Sequence, residues 1–438
     1  MLRAGMPDAR PNSWCLSTRQ TFWLLFLGGA LRALWQFQSG HFGPGYEMVA
    51  VARTLAATGQ FANPFQIYPT GPTAIVPPLY PAFLALLIHI FGFSRLFVLV
   101  IYGTTAAVHG LHAALLPPVS KVLFHDRRPG LWAAALMIVF PLYDFLPQFE
   151  TSSFAVGLLL FCMLDRGAVV TGLAAGLLAL LNPASVFVTI PWTLYRLRRG
   201  ARTHACSAGT LAGARFLLIS AATAAVVLLP WTIRNYRQFH SLFFVRNNFG
   251  LELRLANNDL AYPTFRRNMS ADRYEVLHPG GSLAEARRMS GLGEPEYNRQ
   301  QLHTAIDWIR NHPRRFLSLT IARVRMFWFP DPEDGPARSA GIVLATLLSA
   351  GGLWLMVRRR QPIAFFLAPV WLVFPLLYYV NQADPHYRTP ILWMTTLTAG
   401  YFLTATVPAI SRAMVHFRST RADSPLAPAI RDRQRSSL

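Results

Sequence analysis

Carboxylates are scarce in this chain, with 20 Asp and Glu against 41 Lys and Arg in 438 residues, so those beside apolar runs are the first places to look for chemistry. Glu47 stands in YEMVAVARTLAATG (46–59), with Arg53 less than two helical turns later and the proline-rich PTGPTAIVPPLYP (69–81) close behind. Glu150 ends the apolar part of PLYDFLPQFETSS (141–153), with Asp144 as a weaker candidate one or two turns earlier. A carboxylate at a membrane edge is functional by default, and a positioned carboxylate can accept the proton of an attacking hydroxyl. Arg234, Arg237 and Arg246 follow an apolar run, Tyr387 and Arg388 stand in ADPHYRTPI (383–391), and His278 and Glu285 are close enough in sequence to reach each other or a metal. The planar guanidinium fork suits phosphate. Each residue has a plainer role beside this one. Glu47 can pair with Arg53 or cap a helix, Glu150 can be solvated beside a capping Thr151 or Ser152, and the arginines can snorkel to headgroups.

The elements that must position these residues are apolar. The chain is 53% hydrophobic and 14% charged, against roughly 25% charged in a soluble domain. Apolar stretches recur at 20–38, 78–92, 96–117, 131–149, 151–165, 167–182, 184–197, 213–233, 340–357, 361–380 and 389–408. Crossing a bilayer takes about 20 residues of helix, so the expected fold is an all-α polytopic membrane protein with about ten or eleven transmembrane helices. Basic clusters at Arg127–Arg128, Arg196–Arg202, Arg358–Arg360 and after Arg412 mark the cytoplasmic side. That places Glu150, Asn182, 235–338 and Asn381–Arg388 on the outer face. Upstream the count fails, because three full crossings before Arg127 would put it outside, and 78–92 is the suspected non-crossing segment.

The resulting organisation is a cytoplasmic N-terminus (1–19), an N-terminal transmembrane module (20–233) with a first outer loop (39–77), an outer-face region (234–338), C-terminal transmembrane helices (339–410) and a disordered cytoplasmic tail (411–438). In the first loop Met48, Val49, Val51, Ala52 and Leu55 lean to one face at helical spacing, which suits a surface helix ended by Gly59. In the second region EPEYNRQQLHTAIDWIRNHP reads as a helix stopped at Asn311–His312–Pro313, with an aromatic-rich helix following. The basic residues are spread among spans rather than gathered on one soluble face, which argues against nucleic acid. Cys15, Cys162 and Cys206 carry no CxxC spacing, so neither a disulfide framework nor a structural zinc site is indicated. One His among scattered acids forms no metal signature; a divalent metal is possible but not indicated, and the sequence names no cofactor.

The order of these parts resembles the C-type glycosyltransferases, and within them the family-39 branch of protein mannosyltransferases and lipid A aminoarabinose transferases. The stretches that carry it are PTGPTAIVPPLYP, PWTIRNYRQFHSLFFVRNNFGLELRLANN (230–258), LHPGGSLAEARRMSGLGEPEYNRQQLHTAIDWIRNHPRRF (277–316) and ADPHYRTPI, the last like a D-x-R-Y-R-x-P pattern. The resemblance implies transfer of a sugar from a polyprenyl-phosphate donor to a lipid, glycan or protein acceptor. The chain would then lie in a bacterial inner (plasma) membrane with its site facing the periplasm or exterior. It also implies that the proline-rich segment shapes the cavity wall, in keeping with non-helical backbone being tolerated at membrane depth only beside protein or a polar cavity. The family usually carries an Asp–Glu pair at the start of the surface helix, and the matching positions here are Pro44 and Gly45. Glu47 is then the expected base, with Glu150 as the other catalytic candidate. Arg53, Tyr80, Arg234, Arg246, His278, Glu285, Tyr387 and Arg388 are the expected substrate-binding set. Glu47, Tyr80 and Arg388 would share one polar cavity on the outer face, bounded by 41–81, the start of 235–338 and 381–390. A non-catalytic binder or a transporter of lipid-linked sugars is the competing reading; no inverted repeat of the transporter kind is visible.

Overall fold

The computed structural model describes residues 17–39, 46–142, 149–164, 166–203, 208–269, 271–331 and 335–422. Its elements are α1 (Thr18–Ser39), α2 (Tyr46–Thr58), α3 (Leu79–Phe91), α4 (Arg95–Phe124), α5 (Arg128–Val139), α6 (Phe149–Met163), α7 (Ala168–Leu181), α8 (Val186–Thr203), α9 (Ala208–Phe239), α10 (Phe249–Ala256), α11 (Phe265–Asn268), α12 (Ala271–Leu277), α13 (Leu283–Leu292), α14 (Glu294–Asn311), α15 (Pro313–Trp328), α16 (Pro336–Arg358), α17 (Ala364–Val373), α18 (Leu376–Val380) and α19 (Thr389–Ala422). Among the described residues there are isolated bridges but no strands. The protein is an all-α polytopic membrane protein. Residues 95–124, 211–239 and 336–358 form helices long and apolar enough to cross a membrane by themselves, and shorter apolar helices fill the bundle between them. The outer surface of the bundle is apolar: Leu24, Leu27 and Leu31 are 56%, 56% and 63% exposed on one face of α1, while Ala33 on another is fully buried.

Small residues set how the first helices meet. A Cβ on Gly29 would lie 2.8 Å from the His109 carbonyl oxygen, and one on Gly110 would lie 2.6 Å from that of Phe26, so α1 and α4 touch backbone to backbone. At the start of α1, Thr18 Oγ1 accepts a hydrogen bond of 2.6 Å from Arg127, just beyond the end of α4. The two helices therefore run antiparallel, and the chain between them leaves and re-enters the bundle at one end. Because Thr18 and Arg127 meet at one end, the chain between them returns to where it started, and with α1 and α4 making the two passes the 13-residue α3 makes no further one. His125, Arg198, Arg199 and Gln361 meet at the end opposite the first outer loop.

Prolines trim the expected spans. Within the stretch 131–149, α5 ends at Val139, because Phe140 precedes Pro141 and takes extended angles (φ −97°, ψ 143°). The stretch 361–380 breaks between α17 and α18 at Pro375, which has no N–H to continue the ladder. In contrast, α9 runs through Pro230 to Phe239, so Arg234 and Arg237 stand on the helix rather than in a loop after it. Helices α14 and α15 meet at His312–Pro313, as the sequence indicates.

The segment 235–331 folds over one end of the bundle and is tied to it by buried polar groups. Arg323, fully buried, donates to the Asn257 side chain and to the carbonyls of Ala256 and Val380. Ala383 exchanges backbone hydrogen bonds with Pro263 and Phe265 at 2.9 and 3.0 Å. These ties bring 246–269, 278 and 381–390 to one place.

Candidate active site

A cavity of about 500 Å³ opens where the surface elements meet the ends of α7, α8, α18 and α19. Glu47, in the first turn of α2, lines it. The apolar residues Val49, Val51 and Ala52 are buried against the elements beneath, which fixes the helix and aims its first turn inward. Enclosure raises the Glu47 pKa to about 7, assisted by Glu252 and opposed by Arg246. A third of the side chain is still accessible, so cavity water moderates that rise.

His278 stands behind Glu47, with Nε2 3.6 Å from Glu47 Oε1. Its Nδ1 accepts the Gly280 N–H at 2.9 Å, which leaves the ring proton of the neutral form on Nε2, facing the carboxylate. Tyr274 stacks on the ring at 4.5 Å, and Phe65 meets it edge-on. Burial lowers the His278 pKa to about 3, so the imidazole is neutral at physiological pH.

Helix α10 supplies a second carboxylate. Glu252 accepts from Asn248 at 3.1 Å, with Gln382 at 3.5 Å, and burial raises its pKa against the opposing pull of Arg246. Gly250 allows α10 to lie on α14: a Cβ there would sit 1.9 Å from the Asn298 carbonyl oxygen. Asn298 also accepts the Leu251 N–H at 3.1 Å. Gly250→Ala is therefore expected to push α10 off α14, lowering the thermal midpoint in detergent and activity together. An unchanged midpoint would show that α14 yields instead.

Arg246 lines the cavity and donates through Nε to the Ile75 carbonyl at 2.7 Å. The proline-rich segment is therefore the mount for this guanidinium. Its own shape is held from behind, where buried Glu294 accepts from the Thr73 hydroxyl at 2.6 Å and the Ala74 N–H at 2.8 Å. Burial raises the Glu294 pKa to about 8, opposed by those hydrogen bonds and by Arg234 and Arg246. Glu294→Ala leaves two buried donors unpaired, at about 1–3 kcal/mol each. It is expected to lower stability by a few kcal/mol, read as a fall in denaturation midpoint, whereas Glu294→Gln keeps an acceptor for Ala74 and loses less.

The third wall is 381–388. Asp384 Oδ1 accepts from the His386 backbone N–H at 3.0 Å and lies 2.6 Å from His386 Nδ1, capping the short turn Pro385–Arg388. Burial alone would raise the Asp384 pKa, but His386 reverses this and the group sits below its usual value. His386 and Tyr387 line the cavity, and Tyr387 stacks on Tyr378 at 4.5 Å. Burial, with Glu252 and Asp384 nearby, pushes the Tyr387 phenol well up. Asn182 joins from the end of α7, its side chain capping Ala184 at 3.0 Å.

Of the residues singled out in the sequence, Glu47, Arg246, His278 and Tyr387 come together in this cavity. Among the described side chains, the others do not line it. Arg388 is 3% exposed and turns into the bundle, donating to the Trp328 carbonyl and Thr346 Oγ1 beneath the Trp328 ring. Tyr80 is buried with Leu84, Phe97 and Ile101. Arg53 is exposed over the Phe93 ring. Arg234 spans the carbonyls of Thr73 and Phe61 at 2.8 and 2.7 Å, bracing the proline-rich loop. Glu285 accepts from Tyr297 and Gln301 and pairs with Arg288, not with His278. Glu150 stands second in α6, with its side chain outside the described residues, as are Pro44, Gly45 and Asp144. The cavity residues not singled out are Glu252, His386, Gln382, Asn248 and Asn182, with Asp384 behind His386. Among the described residues no group of three or more His, Cys, Asp or Glu is arranged to hold a metal.

No family model matches the sequence, and no curated protein matches it. Solved structures do. The oligosaccharyltransferase of Archaeoglobus fulgidus in its apo form matches with a TM-score of 0.50 at 15% identity, covering 90% of this chain and 51% of that one. The same protein in complex with Zn and sulfate matches with a TM-score of 0.49 at 15% identity, over 92% of this chain and 52% of that one. Its complex with an inhibitory peptide and a dolichol-phosphate matches at 0.49 and 15%, over 90% and 52%. The chain thus spans about half the length of that protein. At this identity the likeness is one of fold.

Proposed function

We propose that this protein is a membrane glycosyltransferase that moves a sugar from a polyprenyl-phosphate donor to an acceptor at the membrane surface. The observation that carries the reading is the cavity itself. It joins the apolar bundle to polar surface elements and holds Glu47, shifted to about pH 7, with Arg246 beside it. A base titrating near neutrality suits proton removal from a hydroxyl or amide acceptor. The guanidinium suits the charge that grows on a departing phosphate, and a volume of about 500 Å³ lies in the range of small-ligand sites. Glu47 takes the acceptor's proton, the acceptor atom bonds to the sugar's anomeric carbon, and the polyprenyl phosphate leaves with the electron pair of the broken C–O bond.

The fold relative, solved with dolichol-phosphate and, in another form, tethered to an acceptor peptide, supports a lipid-linked donor. The motif order favours the family-39 branch, and the basic end of the bundle favours a site on the non-cytoplasmic face of a bacterial inner membrane. A radiolabelled polyprenyl-phosphate sugar incubated with membranes containing the protein tests the reading; label should pass to lipid, glycan or protein. Binding of the donor without transfer would favour a non-catalytic carrier protein, a reading kept open by Pro44–Gly45 standing where the family has its acidic pair.

A further inference from the structure

At the end of the bundle opposite the first outer loop, the ends of α4 and α8 and the start of α17 enclose a second cavity, of about 330 Å³. Its polar lining is basic. His125 stands just past α4, Arg198 and Arg199 near the end of α8, and Gln361 ahead of α17, with no Asp or Glu among the lining residues. Asp126, next in the chain to His125, is held by Arg128 at 2.8 Å. Both arginines are mounted on aromatic rings. The Arg198 guanidinium lies 3.8 Å from the centre of the Phe365 ring, a stack that uses the face of the fork and leaves its in-plane N–H groups for an anion. Arg199 hydrogen-bonds the phenol of Tyr195. Tyr195 is buried, and its ring packs with those of Trp192 and Phe366 at 5.5 and 6.4 Å. The cavity also borders the apolar outside of the bundle: Phe365 in its wall is 54% exposed, and Leu194, one turn before Arg198, is 52% exposed.

We propose that this cavity binds the headgroup of an anionic glycerophospholipid from the surrounding bilayer, with its phosphodiester on Arg198 and Arg199 and its acyl chains along Phe365 and Leu194. Snorkelling accounts for arginines at helix ends one at a time. Here two ring-mounted guanidiniums face one concave site that offers them no carboxylate, so the counter-charge comes from a ligand. The apolar lip selects a phosphate that carries acyl chains over a free one in water. A choline head would bring a further cation into a site that already holds two, so a phospholipid with an uncharged head, such as glycerol, is preferred. The bound lipid bridges the ends of three helices, and it is held whatever chemistry the opposite cavity performs.

The purified full chain in nanodiscs of phosphatidylcholine and phosphatidylglycerol in equal amounts, released into detergent and weighed by native mass spectrometry, reports which lipid stays bound. The expected result is one phosphatidylglycerol retained per chain, preferred over phosphatidylcholine by about tenfold or more, as two guanidiniums on one phosphate should give. The double variant Arg198→Gln/Arg199→Gln should remove the preference. Arg358→Gln/Arg359→Gln takes the same charge from the same end but outside the cavity, and should leave the preference at wild-type strength. Phe365→Leu removes the mount of Arg198 without changing charge and should lower it. Misfolding lowers retention of both lipids together, whereas loss of the site lowers their ratio, and Phe365→Leu reads that ratio with both arginines in place. An excess of glycerol phosphate should not displace the lipid. A wild-type ratio in Arg198→Gln/Arg199→Gln overturns the proposal. So does an equal fall in the two charge-removed pairs, which would show a diffuse surface field rather than a site. Displacement by glycerol phosphate would show a site for soluble phosphate and overturn the lipid assignment.

Discussion

Replacing Glu47 by Gln is expected to lower sugar transfer by about 10²–10⁴-fold, the usual worth of a positioned general base, with donor affinity changed by no more than a few-fold. The amide keeps the shape of the carboxylate and can still hydrogen-bond, but it cannot take a proton. The pH dependence makes the test specific. Below about pH 7 Glu47 is protonated and cannot act as a base, so the wild-type rate should rise with pH through that value. In Glu47→Gln the rising limb should vanish along with the rate. Stability should move the other way. A carboxyl whose pKa goes from 4.5 to about 7 on folding binds its proton more tightly in the folded state, so the stability it contributes is lost as pH rises across that window. Glu47→Gln lacks this loss and should melt no lower than wild type at pH 8. Glu47→Asp retracts the carboxylate and should leave weak activity. Wild-type transfer by Glu47→Gln would move the base to Glu252 or Glu150.

Much of this site was visible in local pattern. The surface helix ending at Gly59 announced itself by the apolar spacing of Val49, Ala52 and Leu55, and the α14–α15 break by His312–Pro313. The parity failure before Arg127 pointed to 78–92, and the Arg127–Thr18 bond resolves it. Glu252 was legible but passed over: FGLELRLA is an apolar turn with one carboxylate, the same signal that singled out Glu150. The arginines were harder. Arg388 looked like a ligand-facing cation, but what surrounds it, Trp328 and Thr346, comes from helices 60 and 42 residues away. Arg234 stands at the expected depth, yet its donors are taken by carbonyls of a loop more than 150 positions earlier. Hydropathy and motif spacing report which residues are costly to bury. They do not report which distant backbone oxygen offsets that cost, so the partner of each cation came only with the fold.

Arg246 ties the acid–base chemistry to the scaffold, and its replacement should have the second large effect. Arg246→Ala removes the cation that opposes the raised pKa values of both Glu47 and Glu252 and leaves the Ile75 carbonyl without its donor. The catalytic specificity kcat/KM should fall about 10²–10³-fold, as when a preorganised group facing a developing anion is deleted. Its acid limb should also move to higher pH, since Glu47 holds its proton more strongly without the neighbouring charge. Glu252→Gln should do the reverse: with one negative neighbour gone, Glu47 ionises more readily and the limb moves to lower pH. Because all three residues act on one another in the same cavity, the double variant should place the limb between those of the single variants, with rates that do not multiply. Arg246→Lys keeps a charge without the fork, so the limb should stay near wild type while donor affinity falls. Limbs that stay fixed in Arg246→Ala and Glu252→Gln would show that the rate-determining proton does not reside on Glu47, whatever the loss in rate.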